Sequence, residues 1–325
     1  MSSLIFAINA VAPIVLLMVI GYALKKLGFM SPSFAKAANK LVFHVFLPIT
    51  LFLNIYGISD FASIDFGYFI YALAAEIIIF IVATPVSMVL TKRGDRRGVL
   101  LQAAFRSNYT LIGVPLAVLL CGSQGGVVAT LLSALAVPLL NVLSVISYSI
   151  FKDNEKPSAQ KILVSIAKNP LIQAIVLGGV SLVIRAGFVK VGIDFRLCNI
   201  EPIYKVLEYL SDLSTPLALL VLGAQFEFSS VPTLKREIIC GTLMRSVFVP
   251  AFGLGAAYLF FDFSGAEFAA FIALFATPLG VSSVPMAQEM GADHVLAGQI
   301  VAWSALCSIV TIFLSTFLLS LTGVF

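Results

Sequence analysis

The sequence predicts an all-α polytopic membrane protein with ten transmembrane helices. Apolar residues make up 60% of the 325 residues and charged residues only 11%, against about 25% charged in an average soluble domain. Ten apolar windows follow one another, each near the roughly 20 residues that cross a bilayer. Lipid offers the backbone no hydrogen-bond partner, so each window is predicted to be helical. This composition excludes a soluble globular enzyme, a nucleic-acid-binding protein and a disordered scaffold.

The ten windows, numbered here spans 1 to 10, are separated by short polar interruptions. The longest clear interruption, residues 151–168, falls near the middle of the chain and is interpreted as a linker. It divides the chain into a first five-helix half (1–151), a cytoplasmic linker (152–168) and a second half (169–325). The spans cover residues 4–24, 34–56, 67–90, 98–121, 127–151, 169–187, 203–225, 237–260, 266–290 and 295–321.

The basic residues predict the orientation of the chain in the membrane. Fourteen Lys and Arg lie in or beside the loops that follow odd-numbered spans, and four lie in the loop between spans 6 and 7. Because cytoplasmic loops carry the excess of Lys and Arg, the odd loops are predicted to be cytoplasmic and both termini outside. We expect a multi-pass protein of the plasma membrane, or of the inner membrane in a bacterium.

Prolines recur at a near-constant offset between the two halves. Each half contains five spans, an odd number, so the second half enters the membrane upside down relative to the first. The sequence therefore predicts two inverted five-helix repeats, an arrangement typical of secondary transporters. The paired prolines are Pro48 and Pro216 (168 residues apart), Pro85 and Pro250 (165 apart), and Pro115 and Pro285 (170 apart).

Spans 4 and 9 each contain a stretch that is poorly suited to a continuous helix. Residues 106–115 and 276–285 mix Gly, Pro and small polar residues, and Asn108 and Pro278 each lie seven residues before the matched proline. Proline removes a backbone donor and glycine weakens a helix, so both spans are predicted to unwind there. Unwound backbone at that depth must line a cavity, and the half-helix N-termini beside it suit a carboxylate. The alternative is a pair of ordinary proline kinks.

The segment NYTLIGVPLA in span 4, with the paired prolines, the length and the ten spans, resembles the auxin efflux carrier family. That family includes bacterial malate and malonate permeases and the plant PIN-FORMED carriers. The resemblance covers the whole chain and is sharpest over residues 106–117. It implies a fold like that of bile-acid carriers and sodium–proton antiporters. Spans 1, 2, 6 and 7 would form a scaffold, and spans 3–5 and 8–10 a moving transport domain in which spans 4 and 9 cross.

The resemblance and the two interrupted spans together predict the substrate-binding residues. In the family, the asparagine before the span-4 proline binds the substrate carboxylate, which maps onto Asn108, and an asparagine of span 5 lines the site, which maps onto Asn141. The predicted substrate-binding residues are Asn108, Tyr109, Thr110, Gly113, Pro115, Asn141, Pro278, Gly280, Val281, Ser282, Ser283 and Pro285.

Four ionisable residues inside the spans are candidates for a coupling or charge network. Glu76 and Arg245 lie near mid-depth in spans 3 and 8, where a charge is costly. Either they form an ion pair, or Glu76 takes up a proton or cation while Arg245 stands in for a cation or contacts the substrate. Arg106 either extends to the cytoplasmic surface or adds positive potential beside Asn108. His44 is either a packing residue or a proton relay.

These features favour a secondary active transporter of a small organic anion that works by elevator-type alternating access. Malate, malonate, another dicarboxylate or an auxin-like acid are all compatible with the sequence, as is a sodium-coupled symporter of the bile-acid carrier type. A membrane enzyme is disfavoured because no HExxH or GxSxG signature is present. A channel is disfavoured because the pseudo-symmetry lies within one chain. The expected partners are the anion and the lipid bilayer, with no nucleic acid. No cofactor or metal is expected, while coupling to H⁺ or Na⁺ and a homodimer are left open.

Overall fold

The computed structural model is almost wholly helical. It describes residues 2–57, 66–151, 159–190, 192–193, 195–263 and 265–325, and 87% of these described residues are helical, with no β-strand among them. The α-helices of that part are α1 (Ser2–Lys26), α2 (Pro32–Leu41), α3 (Leu47–Tyr56), α4 (Phe66–Leu90), α5 (Gly94–Phe105), α6 (Val114–Ile150), α7 (Ala159–Lys168), α8 (Pro170–Lys190), α9 (Glu201–Asp212), α10 (Ser214–Gln225), α11 (Val231–Leu243), α12 (Val249–Phe260), α13 (Gly265–Phe275), α14 (Ser283–Met290) and α15 (His294–Leu321).

Seven helical stretches of the described chain are long and apolar enough to cross a membrane, consistent with the predicted polytopic class. The window at 98–121 corresponds to α5 and the start of α6, and the window at 266–290 to α13 and α14. Both are interrupted rather than continuous. Residues 152–158 of the predicted linker lie outside the described residues, and 159–168 form α7. The seven stretches are Pro32–Tyr56, Gly67–Leu90, Tyr109–Ile150, Pro170–Val189, Glu201–Gln225, Phe228–Phe260 and His294–Leu321.

The 37-residue helix α6 contains a sharp kink that separates predicted spans 4 and 5. Cys121 and Gly122 have non-helical backbone angles, and Gly122 has a φ of 60°, a conformation that glycine adopts without steric cost. Just past the kink, a Cβ atom on Gly125 would collide with the carbonyl oxygen of Ala117. The chain therefore doubles back closely at this point, and small residues permit the approach.

Three prolines are each preceded by a π-helical turn. A proline lacks the N–H that would bond four residues back, and its ring crowds that carbonyl. In each case the residue before the proline donates its N–H to the carbonyl five residues back, which inserts one extra residue into the turn. The turns are Val42–Phe46 before Pro48, Tyr109–Gly113 before Pro115, and Met244–Phe248 before Pro250.

Several helix pairs link the halves of the chain, among them α6 with α13, α1 with α10 and α3 with α8. The contact of α1 with α10 is especially close. A Cβ atom on Gly223 would collide with the backbone of Met18, and one on Gly21 with the backbone of Leu220. Backbone-to-backbone packing of this kind, made possible by small residues, is how helices associate in membranes.

Two polar clusters join helices from different halves at the end of the molecule where the basic loops lie. Arg96 of α5 contacts Glu237 of α11 at 2.8 Å and Asp293, the N-cap of α15, at 3.0 Å. In a second cluster, defined here as the amide triad, Asn39, Gln225 and Gln288 hydrogen-bond one another. The Asn39 amide nitrogen donates to Gln225 at 3.1 Å and to Gln288 at 2.5 Å, and Gln225 donates to Gln288 at 3.1 Å.

Because Gly223 has no room for a side chain, Gly223→Ala should lower stability by about 1–3 kcal/mol through overpacking. Gly179→Ala on α8 is the matched control, since a Cβ there meets nothing within 4 Å. It should leave stability unchanged or raise it by up to about 1 kcal/mol through better helix propensity. Thermal unfolding of both variants in detergent measures the difference. Equal midpoints for the two variants would contradict the close packing of α1 on α10.

Candidate functional site

Two non-helical stretches, defined here as the paired breaks, lie side by side in the interior. The first is residues 106–108, between α5 and the π-turn at Tyr109–Gly113, and the second is residues 276–282, between α13 and α14. Ser107 and Leu279 form an antiparallel bridge. The N–H of Asn108 donates to the Pro278 carbonyl at 2.8 Å. Each break therefore supplies hydrogen-bond partners that the other lacks.

The guanidinium group of Arg245 hydrogen-bonds to carbonyl groups at the ends of the two helices that lead into the breaks. Arg245 is fully buried. It donates to Thr277 at 2.8 Å, Leu274 at 2.6 Å and Phe275 at 3.1 Å, and also to Ala104 at 3.1 Å. These carbonyls lie at or just beyond the C-terminal ends of α13 and α5, where the helix dipole is negative. The positive charge of Arg245 thus compensates both ends at once.

Arg106, the first residue of the first break, is buried and does not reach the surface. Its side chain donates to the hydroxyl of Ser144, to the amide oxygen of Asn141 at 2.9 Å and to the hydroxyl of Ser282 at 2.7 Å. Its exposed fraction is 5%. The sequence left open whether Arg106 extends to the cytoplasmic surface or lies beside Asn108. In the structure its guanidinium lies near the breaks.

A cavity of about 420 Å³ lies against the paired breaks. The breaks and α6 form one wall, and α3 and α10 form the other. The side-chain amide nitrogen of Asn108, Nδ2, is buried and has no hydrogen-bond partner among the described residues. The lining residues are Leu47, Thr50, Leu51, Asn54, Arg106, Ser107, Asn108, Tyr109, Thr110, Leu111, Pro115, Val137, Leu140, Asn141, Ser214, Thr215, Ala218, Gly280, Val281 and Ser282.

Eight of the twelve predicted substrate-binding residues line this cavity, and the other four lie outside its lining. Gly113 packs against Ala273. Pro278 contributes only the carbonyl that pairs with Asn108. Ser283 and Pro285 are buried on α14. The eight that line it are Asn108, Tyr109, Thr110, Pro115, Asn141, Gly280, Val281 and Ser282.

The predicted charge network is spread over more than one place. Glu76 is fully buried, and neither carboxylate oxygen has a hydrogen-bond partner among the described residues. Glu76 and Arg245 are close enough to attract each other, but no hydrogen bond or ion pair within 4.0 Å joins these two described residues. His44 lies near the amide triad, with Nδ1 3.9 Å from Glu289. None of Glu76, Arg245 and His44 lines the cavity.

Sequence reasoning missed several polar residues of this site. Ser144 bonds Arg106 from α6, and Ser107 lines the cavity beside Asn108. Thr50 and Ser214 contribute hydroxyls from α3 and α10. Their proximity to prolines, Pro48 and Pro216, was the available signal. Ser and Thr are otherwise common in membrane helices, so residue type alone did not distinguish them.

The family assignment rests on nearly the whole chain. Residues 6–316 match a family model described as "Membrane transport protein". The chain belongs to the auxin efflux carrier family. The match includes both halves, both breaks and every residue that lines the cavity. No curated protein sequence matches the chain significantly. The protein is therefore a multi-pass membrane transporter of the auxin efflux carrier type.

If Arg245 compensates the helix ends at both breaks, Arg245→Gln should destabilise the protein by about 3–5 kcal/mol, as expected for removing one member of a buried charged network. Arg245→Lys should recover part of this, because it keeps the charge but loses the planar fork of donors. Arg236→Gln, at an exposed position on α11, is the matched control. Thermal unfolding in detergent measures all three, and an Arg245→Gln midpoint equal to that of the control would contradict this role.

Proposed function

We propose that this protein is a secondary active transporter of a small organic anion and that the cavity beside the paired breaks is its substrate site. The observation that carries the proposal is the pairing of two buried donors in one cavity. Among the residues that the structure describes, the Asn108 amide lacks an acceptor, and the Arg106 guanidinium has only neutral partners. A carboxylate supplies both an acceptor and an opposite charge, and bonds from charged donors are the stronger ones.

We further propose that the chain forms ten transmembrane helices in two inverted repeats, with spans 4 and 9 crossing at the breaks. The helix pairing supports this arrangement. The helix of span 1 packs on α10 of span 7, and the helix of span 6 packs on α3 of span 2, which is the exchange that a two-fold axis relating the halves would produce. Inverted repeats with broken helices at the substrate site are typical of secondary transporters.

Alternating access would follow from an elevator movement. In this proposal α1, α3, α8 and α10 belong to the scaffold, and the helices that carry the breaks belong to the transport domain. The cavity lies between these two groups, since α3 and α10 form one wall and the breaks form the other. Sliding one wall past the other would expose the same donors to opposite sides of the membrane. The fourteen basic residues of the odd loops support a plasma-membrane orientation with both termini outside.

Sodium- or proton-coupled symport of the anion is the second candidate, and Glu76 is the observation that favours it. A buried carboxylate without a hydrogen-bond donor is costly. A proton or a sodium ion would remove that cost by neutralising the charge. Arg245, which carries the opposite charge, directs four hydrogen bonds to backbone carbonyls instead.

Asn108→Ala should abolish saturable uptake of the substrate, because it removes the side-chain amide of a residue that lines the cavity. Uptake is measured in proteoliposomes as counterflow of labelled malonate, malate and indole-3-acetate, the probe acids that represent the compatible substrate classes. Saturable exchange of labelled for unlabelled acid distinguishes a carrier from a channel.

Asn9→Ala, at an exposed position of α1, is the matched control and should transport normally. Both variants should elute as single species and unfold at the wild-type temperature. Near-normal counterflow in Asn108→Ala would argue against the proposed site. If the wild-type protein shows no saturable counterflow with any of these acids, the proposal loses its experimental support.

Glu76→Gln tests the symport candidate. If Glu76 binds the driving ion, wild-type uptake should rise when a proton or sodium gradient is imposed. The variant should lose that stimulation, because its neutral amide neither takes up a proton nor attracts a sodium ion. Uptake is measured with and without each gradient. Stimulation that persists in Glu76→Gln would exclude this residue as the ion site, and the absence of stimulation in the wild type would exclude symport.

A further inference from the structure

Arg106 is a buried cation with no counter-ion among the described residues. Its three hydrogen-bond partners, Ser144, Asn141 and Ser282, are all neutral. None of the ion pairs among the described residues includes it. Its positive charge is therefore stabilised by dipoles but is not neutralised, although it is only 5% exposed.

The second buried cation, Arg245, lies away from the cavity. It directs its hydrogen bonds to backbone carbonyls, and neither it nor Glu76 lines the cavity. Of the described residues that line the cavity, Arg106 carries the one formal charge. The empty site therefore has a net charge of about +1, and a site that holds a singly charged carboxylate is neutral.

Hydrogen bonds also hold Arg106 to the other segments of the site, so its charge stays at the site. Its carbonyl accepts the N–H of Gly280 at 3.2 Å, which ties it to the second break. Its guanidinium is held by α6 through Asn141 and by the second break through Ser282. The guanidinium has no route to the surface when the substrate leaves, because three bonds from two other segments fix it.

We propose, on the basis of the function proposed above, that this carrier exchanges one carboxylate anion for another and returns empty only slowly. Between its two open states, the site passes through a state closed to water on both sides. In that closed state the loaded site is neutral, because the carboxylate balances the charge of Arg106. In the empty site the charge of Arg106 is unbalanced and has no water to stabilise it. An uncompensated charge at the centre of a bilayer slows such a step by roughly 100-fold.

The experiment compares exchange with net efflux in proteoliposomes that hold the wild-type protein. Vesicles are loaded with labelled indole-3-acetate, a monoanion that makes the loaded site neutral, and efflux is followed into buffer with and without unlabelled indole-3-acetate. Membrane potential is clamped at zero with potassium and valinomycin. We expect exchange to exceed net efflux by at least 10-fold, and equal rates would overturn the proposal.

Three variants assign the effect to the charge of Arg106. Arg106→Gln should bring the ratio of exchange to net efflux close to one, because its empty site is neutral, while overall affinity falls. Arg106→Lys keeps a positive charge and should keep a high ratio. Arg236→Gln on the exposed face of α11 should match the wild type. A wild-type ratio in Arg106→Gln would overturn the role of Arg106.

A measurement on the wild type alone covers the case in which Arg106→Gln does not fold. Exchange of indole-3-acetate, a monoanion, should not change when a membrane potential is imposed, because the loaded site is neutral. Exchange that varies with potential would overturn the proposal. Net uptake driven by a sodium or proton gradient at the exchange rate would also overturn it, and would favour symport. Absence of any saturable counterflow would instead count against the proposed function itself.

Discussion

The structure depends on one constraint: backbone N–H and C=O groups inside an apolar environment must find partners within the protein. The sequence interrupts two helices in their middle, where water does not replace the lost bonds. The two interruptions satisfy each other through the bond from Asn108 to Pro278 and the bond from Gly280 to Arg106. Since neither break is stable alone, they must lie together, and their meeting point determines where the cavity forms.

The same interruptions separate the two kinds of helix end. The C-terminal ends of α5 and α13, which carry partial negative charge, converge on Arg245. The segments that begin after the breaks, the π-turn at Tyr109–Gly113 and α14, begin near the side that carries the cavity, and N-terminal ends carry partial positive charge. A single buried arginine thus removes the negative ends from the site and leaves donors facing the cavity.

Much of this arrangement could be predicted from the positions of proline and glycine. The interruptions at residues 106–115 and 276–285 were predicted because proline lacks an N–H, a property that does not depend on tertiary context. The π-turns before Pro48, Pro115 and Pro250 were not predicted, because a proline also permits a kink or a full break, and packing decides among them. The partners of Arg106 were not predictable either. Whether the Arg106 side chain extends to the surface or stays buried depends on which polar groups lie near it. Two of those groups, Ser144 and Ser282, are distant from Arg106 in the sequence.

The pairing of Glu76 and Arg245 shows the same limit. Both residues were recognised as costly charges at mid-depth, and the sequence left open whether they form an ion pair. In the structure Arg245 instead bonds carbonyls, which are present at every helix end but are invisible to an argument based on side chains alone. The predicted binding residues Ser283 and Pro285 lie outside the cavity lining, because membership of an interrupted segment does not determine which of its residues line the cavity.

The amide triad of Asn39, Gln225 and Gln288 has a consequence for energetics. It joins α2 and α10 to α14 through bonds between neutral groups, each worth about 0.5–1.5 kcal/mol net. None of the three side chains titrates near neutral pH, and none carries a charge that salt would screen. If α14 moves against α2 and α10, this latch opens at the same small energetic cost in acid or alkali and at low or high ionic strength.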